Sequence, residues 1–318
     1  MEIFAATFQS VAILMGIGLV GFWILARKTV PLDVLKVLTP LVLQVSLPCM
    51  IFSNIILKFN PQTDIDWWHL PLWWFAMISL FLVLSLVGMF FVDSKNKGEA
   101  GISLLFPNAT FFPMGIIPII FGKNSPLLVE LFIFTIFFPI LVFNGYSYFF
   151  RKNQPKRKFS LAESKILNSV LLATLMAVIL KLTKVDRIIP DFVITVVNIV
   201  GLTALPLIMI TLGGNVYVDF QRRGGIAWKS MIRFVFVKNL IFPMVTLGFL
   251  VLVQPPKNVS ILIFLQSVVP PLSAVPVFVG RAKGNVALTN QFLVSSFLCA
   301  IISIPICMYC YSLFFEIY

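Results

Sequence analysis

Few side chains here could do chemistry: the 318 residues hold one histidine and four cysteines, and the polar groups set in apolar surroundings gather beside prolines. Pro107-Asn108-Ala109-Thr110 runs into Pro113, Gly115 and Pro118; farther on, Gln266 and Ser267 precede Pro270 and Pro271, with Ser273 and Pro276 beyond. An amide beside a broken helix offers two donors and an acceptor, which makes Asn108 a candidate ligand for a polar solute. Thr110, Gln266, Ser267 and Ser273 stand with it, although a lone hydroxyl more often bonds its own helix backbone. A second set flanks Pro48 and Pro206: Gln44, Ser46 and Asn54 near the first, Asn198, Thr203, Thr211 and Asn215 near the second. Lys238, beside Asn239, sits 12 residues into another apolar run. It either attracts an anion at depth or snorkels its ammonium to the interface.

Covalent and metal chemistry find no purchase. The only histidine, His69, follows Trp67-Trp68 in what reads as an interfacial aromatic belt. Cys49, Cys299, Cys307 and Cys310 lie in apolar stretches, so the CxxC of the last pair reads as packing rather than as a metal or redox site. There is no HExxH, no Ser/His pair and no paired Asp cluster. All twelve acids avoid mid-span positions, Glu130 coming nearest as an interfacial residue. The expectation is that the chain is not an enzyme and uses no cofactor and no metal.

The elements that must hold these groups follow from composition. Hydrophobic residues make up 59% and charged residues 11%, against roughly a quarter charged in soluble domains. A helical span takes about 20 residues, so the chain reads as an all-α polytopic membrane protein. Apolar runs place ten transmembrane helices near 4–26, 34–57, 69–92, 100–122, 126–150, 166–183, 188–216, 226–253, 259–280 and 286–315. With the N-terminus outside, 18 Lys and Arg fall in cytoplasmic loops and six outside, as the positive-inside rule requires. The net charge of +12 is therefore topology, and no nucleic-acid partner is implied. The expectation is a multi-pass protein of the plasma membrane with both termini extracellular.

A basic linker, 151–165, separates a first five-helix repeat (1–150) from a second (166–318). Shifting one over the other by 158 residues sets Leu47-Pro48 on Leu205-Pro206, and Pro113, Pro118 and Gly122 on Pro271, Pro276 and Gly280. It also sets Lys123 on Arg281. Five spans per repeat force the halves into opposite orientations, and two such inverted repeats are an architecture of alternating access. Prolines inside spans are tolerated where freed backbone is buried or lines a cavity. Spans 4 and 9 are therefore expected to be broken crossing helices, interrupted at Pro113, Gly115 and Pro118 and at Pro270, Pro271 and Pro276. Pro48 and Pro206 would mark the scaffold helices. Half-helix N-termini carry partial positive charge, which suits an anion.

At these residues the chain resembles the auxin efflux carrier family, which includes the plant PIN-type carriers and bacterial malonate or malate permeases. The resemblance covers nearly the whole chain. QSVVPPLSAVPVFV looks like the PIN-type ninth span, with Pro271 and Pro276 as its two prolines five apart. PNATFFPMGIIPIIFG resembles the fourth span, with Pro107 and Asn108 at one end and Phe121 and Gly122 at the other. VSLPCMIF and KNLIFP, with Lys238 and Pro243, also fit. The resemblance implies two inverted five-helix repeats with spans 4 and 9 crossing at the site. It also implies a scaffold of spans 1, 2, 6 and 7, a homodimer, and export or permeation of small organic anions, with Asn108 as a substrate contact. Where the family has a crossover proline seven residues after that asparagine, this chain has Gly115, so the break is displaced. The long cytoplasmic loop of the large plant carriers is absent.

With no carboxylate at mid-span, a proton relay is not expected. Inside-negative potential alone favours anion exit by about 2.3 kcal/mol per charge per 100 mV, which points to a potential-driven uniport. The competing readings are a sodium-coupled symporter of the bile-acid type, since unwound backbone can hold sodium, and a sensor that binds without transport.

Overall fold

The computed structural model describes residues 2–62, 66–93, 95–122, 125–153, 169–221 and 225–316. Lys123, Arg222, Arg223 and residues 154–165 of the basic linker lie outside them. The described residues fold into helices with no strand beyond one isolated bridge. In chain order these are α1 (Glu2–Ala26), α2 (Val34–Leu41), α3 (Leu47–Lys58), α4 (Leu70–Val92), α5 (Lys97–Leu105), α6 (Phe111–Ile120), α7 (Leu127–Phe134) and α8 (Phe138–Gly145). Then come α9 (Ser169–Thr183), α10 (Asp191–Leu202), α11 (Ala204–Gln221), α12 (Trp228–Phe236), α13 (Phe242–Val253), α14 (Lys257–Val268), α15 (Val275–Arg281) and α16 (Val286–Ser312).

Among the described residues, seven helical runs are long and apolar enough to cross a membrane: Glu2–Ala26, Val34–Lys58, Trp67–Val92, Leu127–Phe150, Asp191–Val218, Trp228–Val253 and Val286–Ser312. They fall on seven of the ten expected spans. The other three places hold shorter apolar helices, Phe111–Ile120, Ser169–Thr183 and Lys257–Val268. The fourth and ninth expected spans are each split in two, and the described part of the sixth begins at Ser169.

Proline chemistry explains the irregular turns. A proline has no N–H to give the carbonyl four residues back. Ahead of Pro48 the chain widens into a π-helical turn, Val42–Ser46, in which the Leu47 N–H reaches the Val42 carbonyl. Ser169 of α9 donates to the Leu43 carbonyl at 3.1 Å. Ahead of Pro243 the same device recurs over Val237–Ile241, where the Phe242 N–H reaches Val237. The Asn239 carbonyl, which Pro243 leaves without its helical donor, takes the Cys307 thiol of α16 at 3.8 Å. Such π-turns are common at functional sites.

Helices α1 and α11 approach closely because glycine allows it: a Cβ on Gly213 would overlap the Gly18 carbonyl, and one on Gly21 the Ile210 carbonyl. Small residues are the usual means of close approach where lipid removes the hydrophobic drive between helices. α1 also packs on α16 and α6, while α3 packs on α9 and α10. At the other joint, Asp93, just past α4, accepts from Ser230 of α12 at 2.7 Å and from the Lys95 and Asn96 N–H groups.

Candidate functional site

Helix α5 stops at Leu105 because Phe106 precedes a proline, and a pre-proline residue is pushed out of the α region. Phe106 is extended (φ −98°, ψ 98°). Val269, before Pro270, is extended for the same reason (φ −76°, ψ 150°) and ends α14. The two extended pieces lie antiparallel, Pro107 opposite Pro271. The Asn108 N–H donates to the Pro270 carbonyl at 2.8 Å, and the Leu272 N–H to the Phe106 carbonyl at 2.9 Å. A helix resumes four residues past each bridging proline, at Phe111 and at Val275. The backbone left by both breaks is thus partly satisfied by the other break.

The break in the fourth span sits upstream of the residues expected to make it. Pro113, Gly115 and Pro118 all lie inside α6; Pro113 is in its first turn, where a missing N–H costs nothing. The shift of 158 residues sets Pro271 on Pro113, whereas the backbone sets it opposite Pro107. In the second break Pro270 and Pro271 lie at the interruption, while Pro276 is already in the first turn of α15. Pro48 is in the first turn of α3, and Pro206 lies exposed in α11.

Around the bridge, Asn108 is fully buried, and neither its Oδ1 nor its Nδ2 makes a hydrogen bond. Gln266, also fully buried, donates from Nε2 to the Ala109 carbonyl at 2.8 Å and leaves Oε1 unpartnered. It therefore clamps one break from the helix that ends in the other. Ser267 is buried but turned on its own helix, donating to Phe264 at 2.6 Å. Thr110 and Ser273 are half-buried at the starts of the resumed helices. Thr110 is the N-cap of α6 and makes no side-chain cap bond. With Pro113 lacking an N–H, the first-turn donors of this ten-residue helix are those of Phe111 and Phe112. A helix N-terminus carries partial positive charge.

Lys238 does not reach the interface. Its side chain is 1% exposed and Nζ makes no hydrogen bond. It lies over the rings of Phe242 and Phe81, 4.9 and 5.8 Å from their centroids, a cation–π setting. The adjacent Asn239 is bound to α16, donating to the Ser296 carbonyl at 3.2 Å and to Ser303 at 3.1 Å and accepting from Ser296 at 2.8 Å.

The remaining candidates are not gathered here. Gln44 and Asn215 are exposed. Asn54 donates to the Met50 carbonyl of its own helix at 2.8 Å. Ser46 pairs with Thr203 at 2.9 Å, Ser53 donates to Asn198 at 3.3 Å, and Thr211 returns to Leu207. These are ties between helices or within them. Pro107, the bridging residue, was legible only as a proline beside Asn108. The Asn239 contacts with α16 have no sequence signal. Glu99 had none either: it lies buried in α5 and accepts the Asn285 N–H at 2.7 Å, joining α5 to the start of α16.

Among the described residues, side-chain atoms buried without a hydrogen bond include those of Trp74, Ser85, Asn108, Lys238, Thr246, Gln266 and Asn290. All seven lie on α4, the breaks, the π-turn and α13–α16. No group of His, Cys, Asp and Glu among the described residues could hold a metal ion. The profile of a family described as membrane transport protein matches residues 6–308. No curated protein matches the chain.

Proposed function

Because the chain belongs to the membrane transport protein family, that of the auxin efflux carriers and not an enzyme family, we propose that it is a secondary transporter of a small organic anion, a carboxylate. The observation that carries this reading is Asn108. A buried amide left without partners costs about 1–3 kcal/mol per group, and here it stands beside the helix start at Phe111 where negative charge is favoured. A carboxylate, which only accepts, removes the Nδ2 share of that cost by taking hydrogen bonds from Nδ2 and from the first-turn N–H groups of α6. Lys238 supplies the only fully buried cation among the described residues, so an anion entering the bundle is offset without a proton relay.

Alternating access, by an elevator or a rocking motion, moves the unit of α4–α8 and α12–α16 against a scaffold of α1–α3 and α9–α11. Two features support that division. The unpartnered polar groups lie in the first unit, and the α1–α11 joint is locked by glycine contact. Ten spans in two inverted repeats, a homodimer and a plasma-membrane location with both termini outside complete the reading. Transport follows the membrane potential as uniport.

Proteoliposomes loaded with malonate, malate, 2-oxo acids or an indole acid test it, under imposed potential, pH or sodium gradients. Flux of one acid that follows potential and falls at least ten-fold in Asn108→Ala, with the protein still monodisperse, is the expected result. Flux that requires sodium replaces uniport with symport. Specific binding without flux makes the protein a sensor.

A further inference from the structure

Beside the first break, where Leu105 and Phe106 line its inner end, a groove of about 930 Å3 runs along α4, near the top of the range of about 300–1,000 Å3 typical of ligand pockets. Ile78, Leu82, Leu86 and Met89 form one wall, at the spacing that puts them on one helix face. Leu141 and Phe149 line it from the other side. Leu82 and Leu86 are exposed, so the groove opens on the outer, lipid-facing surface of the bundle.

Its polar end lies past the C-terminus of α4, where Lys95, Lys97 and Lys283 line it. Lys97 Nζ sits 4.2 Å from the Phe90 ring centroid, and among the described residues none of the three pairs with a carboxylate. The nearby acids are engaged elsewhere: Glu99, which also lines the groove, holds the Asn285 N–H, and Asp93 holds Ser230. The apolar wall from Ile78 to Met89 rises about 17 Å at 1.5 Å per residue, close to the roughly 15 Å of one leaflet's hydrocarbon.

We propose that this groove binds an anionic phospholipid, one acyl chain lying along α4 and the phosphate among Lys95, Lys97 and Lys283. Basic clusters at the ends of membrane helices favour anionic headgroups. The Lys and Arg distribution puts this end on the cytoplasmic side, so the lipid comes from that leaflet. A small soluble anion would use the lysines and leave the apolar wall uncovered; a diacyl lipid uses both.

The test is retention of lipid by the purified full chain in neutral detergent, titrated with phosphatidylglycerol or phosphatidylcholine and read by native mass spectrometry. Phosphatidylglycerol is expected to stay bound where phosphatidylcholine does not. Lys95→Gln with Lys283→Gln should weaken it about five-fold per lysine, and Leu86→Trp, which fills the groove with the lysines intact, should also weaken it. Equal retention of the two lipids, or unchanged retention in the lysine variant, overturns the proposal. Displacement of phosphatidylglycerol by millimolar malonate overturns it as well, because it would make the lysines a small-anion site. The readout is independent of flux, so its failure is separate from failure of the transport reading.

Discussion

Lys238 is the residue on which stability and function are expected to pull apart. A buried polar group without a hydrogen bond costs about 1–3 kcal/mol on protein mutational scales, and the Phe81 and Phe242 rings return part of that. Lys238→Met keeps the volume and removes the cost, so its melting temperature in detergent should rise by a few degrees while anion flux falls at least ten-fold. A fall in melting temperature would mean that the ammonium is held by groups in the bundle and serves packing. Asp93 behaves in the opposite way. Burial alone would raise its pKa, but the hydrogen bonds from Ser230, Asn96 and Lys95 outweigh it and hold the carboxyl below its ordinary 3.8. With the folded value lowered, its stabilisation is present above pH 3.8 and is lost as pH falls through the folded value. Asp93→Ala should cost about 1.5 kcal/mol, the lower end for a bond to a charged acceptor, at neutral pH. The difference from the parent should shrink in acid melts; a difference that persists there would assign the loss to packing.

At the scale of elements, the joint between α1 and α11 leaves no room for side-chain carbon. Gly213→Val should force the two helices apart, cost about 1–3 kcal/mol as overpacking does, and be read as a lower melting temperature or lost monodispersity. Gly16, whose added Cβ meets nothing within 4 Å, is the matched control, and Gly16→Ala should leave both unchanged. The breaks show why proline counting misplaced an element boundary. A proline interrupts a helix through the residue before it and through the N–H it withholds. In the first helical turn the second effect vanishes, so Pro113 and Pro276 sit inside helices, while Pro107 and Pro270 end them by forcing Phe106 and Val269 to extend. The signal was present as two prolines each following an apolar helix end, but the shift of 158 residues favoured Pro113 because it matched elsewhere along the chain.

For the whole molecule, long apolar runs were legible because a bilayer demands about 20 of them in a row, and seven such helices stand where the sequence placed spans. The shorter pieces satisfy no such rule, and only their contacts define them. The buried polar groups Asn108, Gln266 and Lys238 stood out for a similar reason: they are amides and a charge in apolar surroundings, and groups of that kind must be accounted for. Gln44 and Asn215 looked equivalent in sequence, yet both face outward, and no pattern in a uniformly apolar helix says which side is inward. The uneven placement of unpartnered polar groups, present on α4 and α13–α16 and absent from the buried faces of α1–α3 and α9–α11 among the described residues, is a property of the assembled bundle alone.

The bridge between the breaks also sets an order of events during synthesis. The Phe106 carbonyl and the Asn108 N–H find their partners 160 or more residues later, at Leu272 and Pro270. Ribosomes add about 5–20 residues per second, so these two groups wait on the order of 10–30 s before their hydrogen bonds exist. Hydrocarbon does not tolerate such groups unpaired. Until α14 emerges, these two groups of the α5–α6 segment depend on water, the translocon or other polar groups of the earlier half.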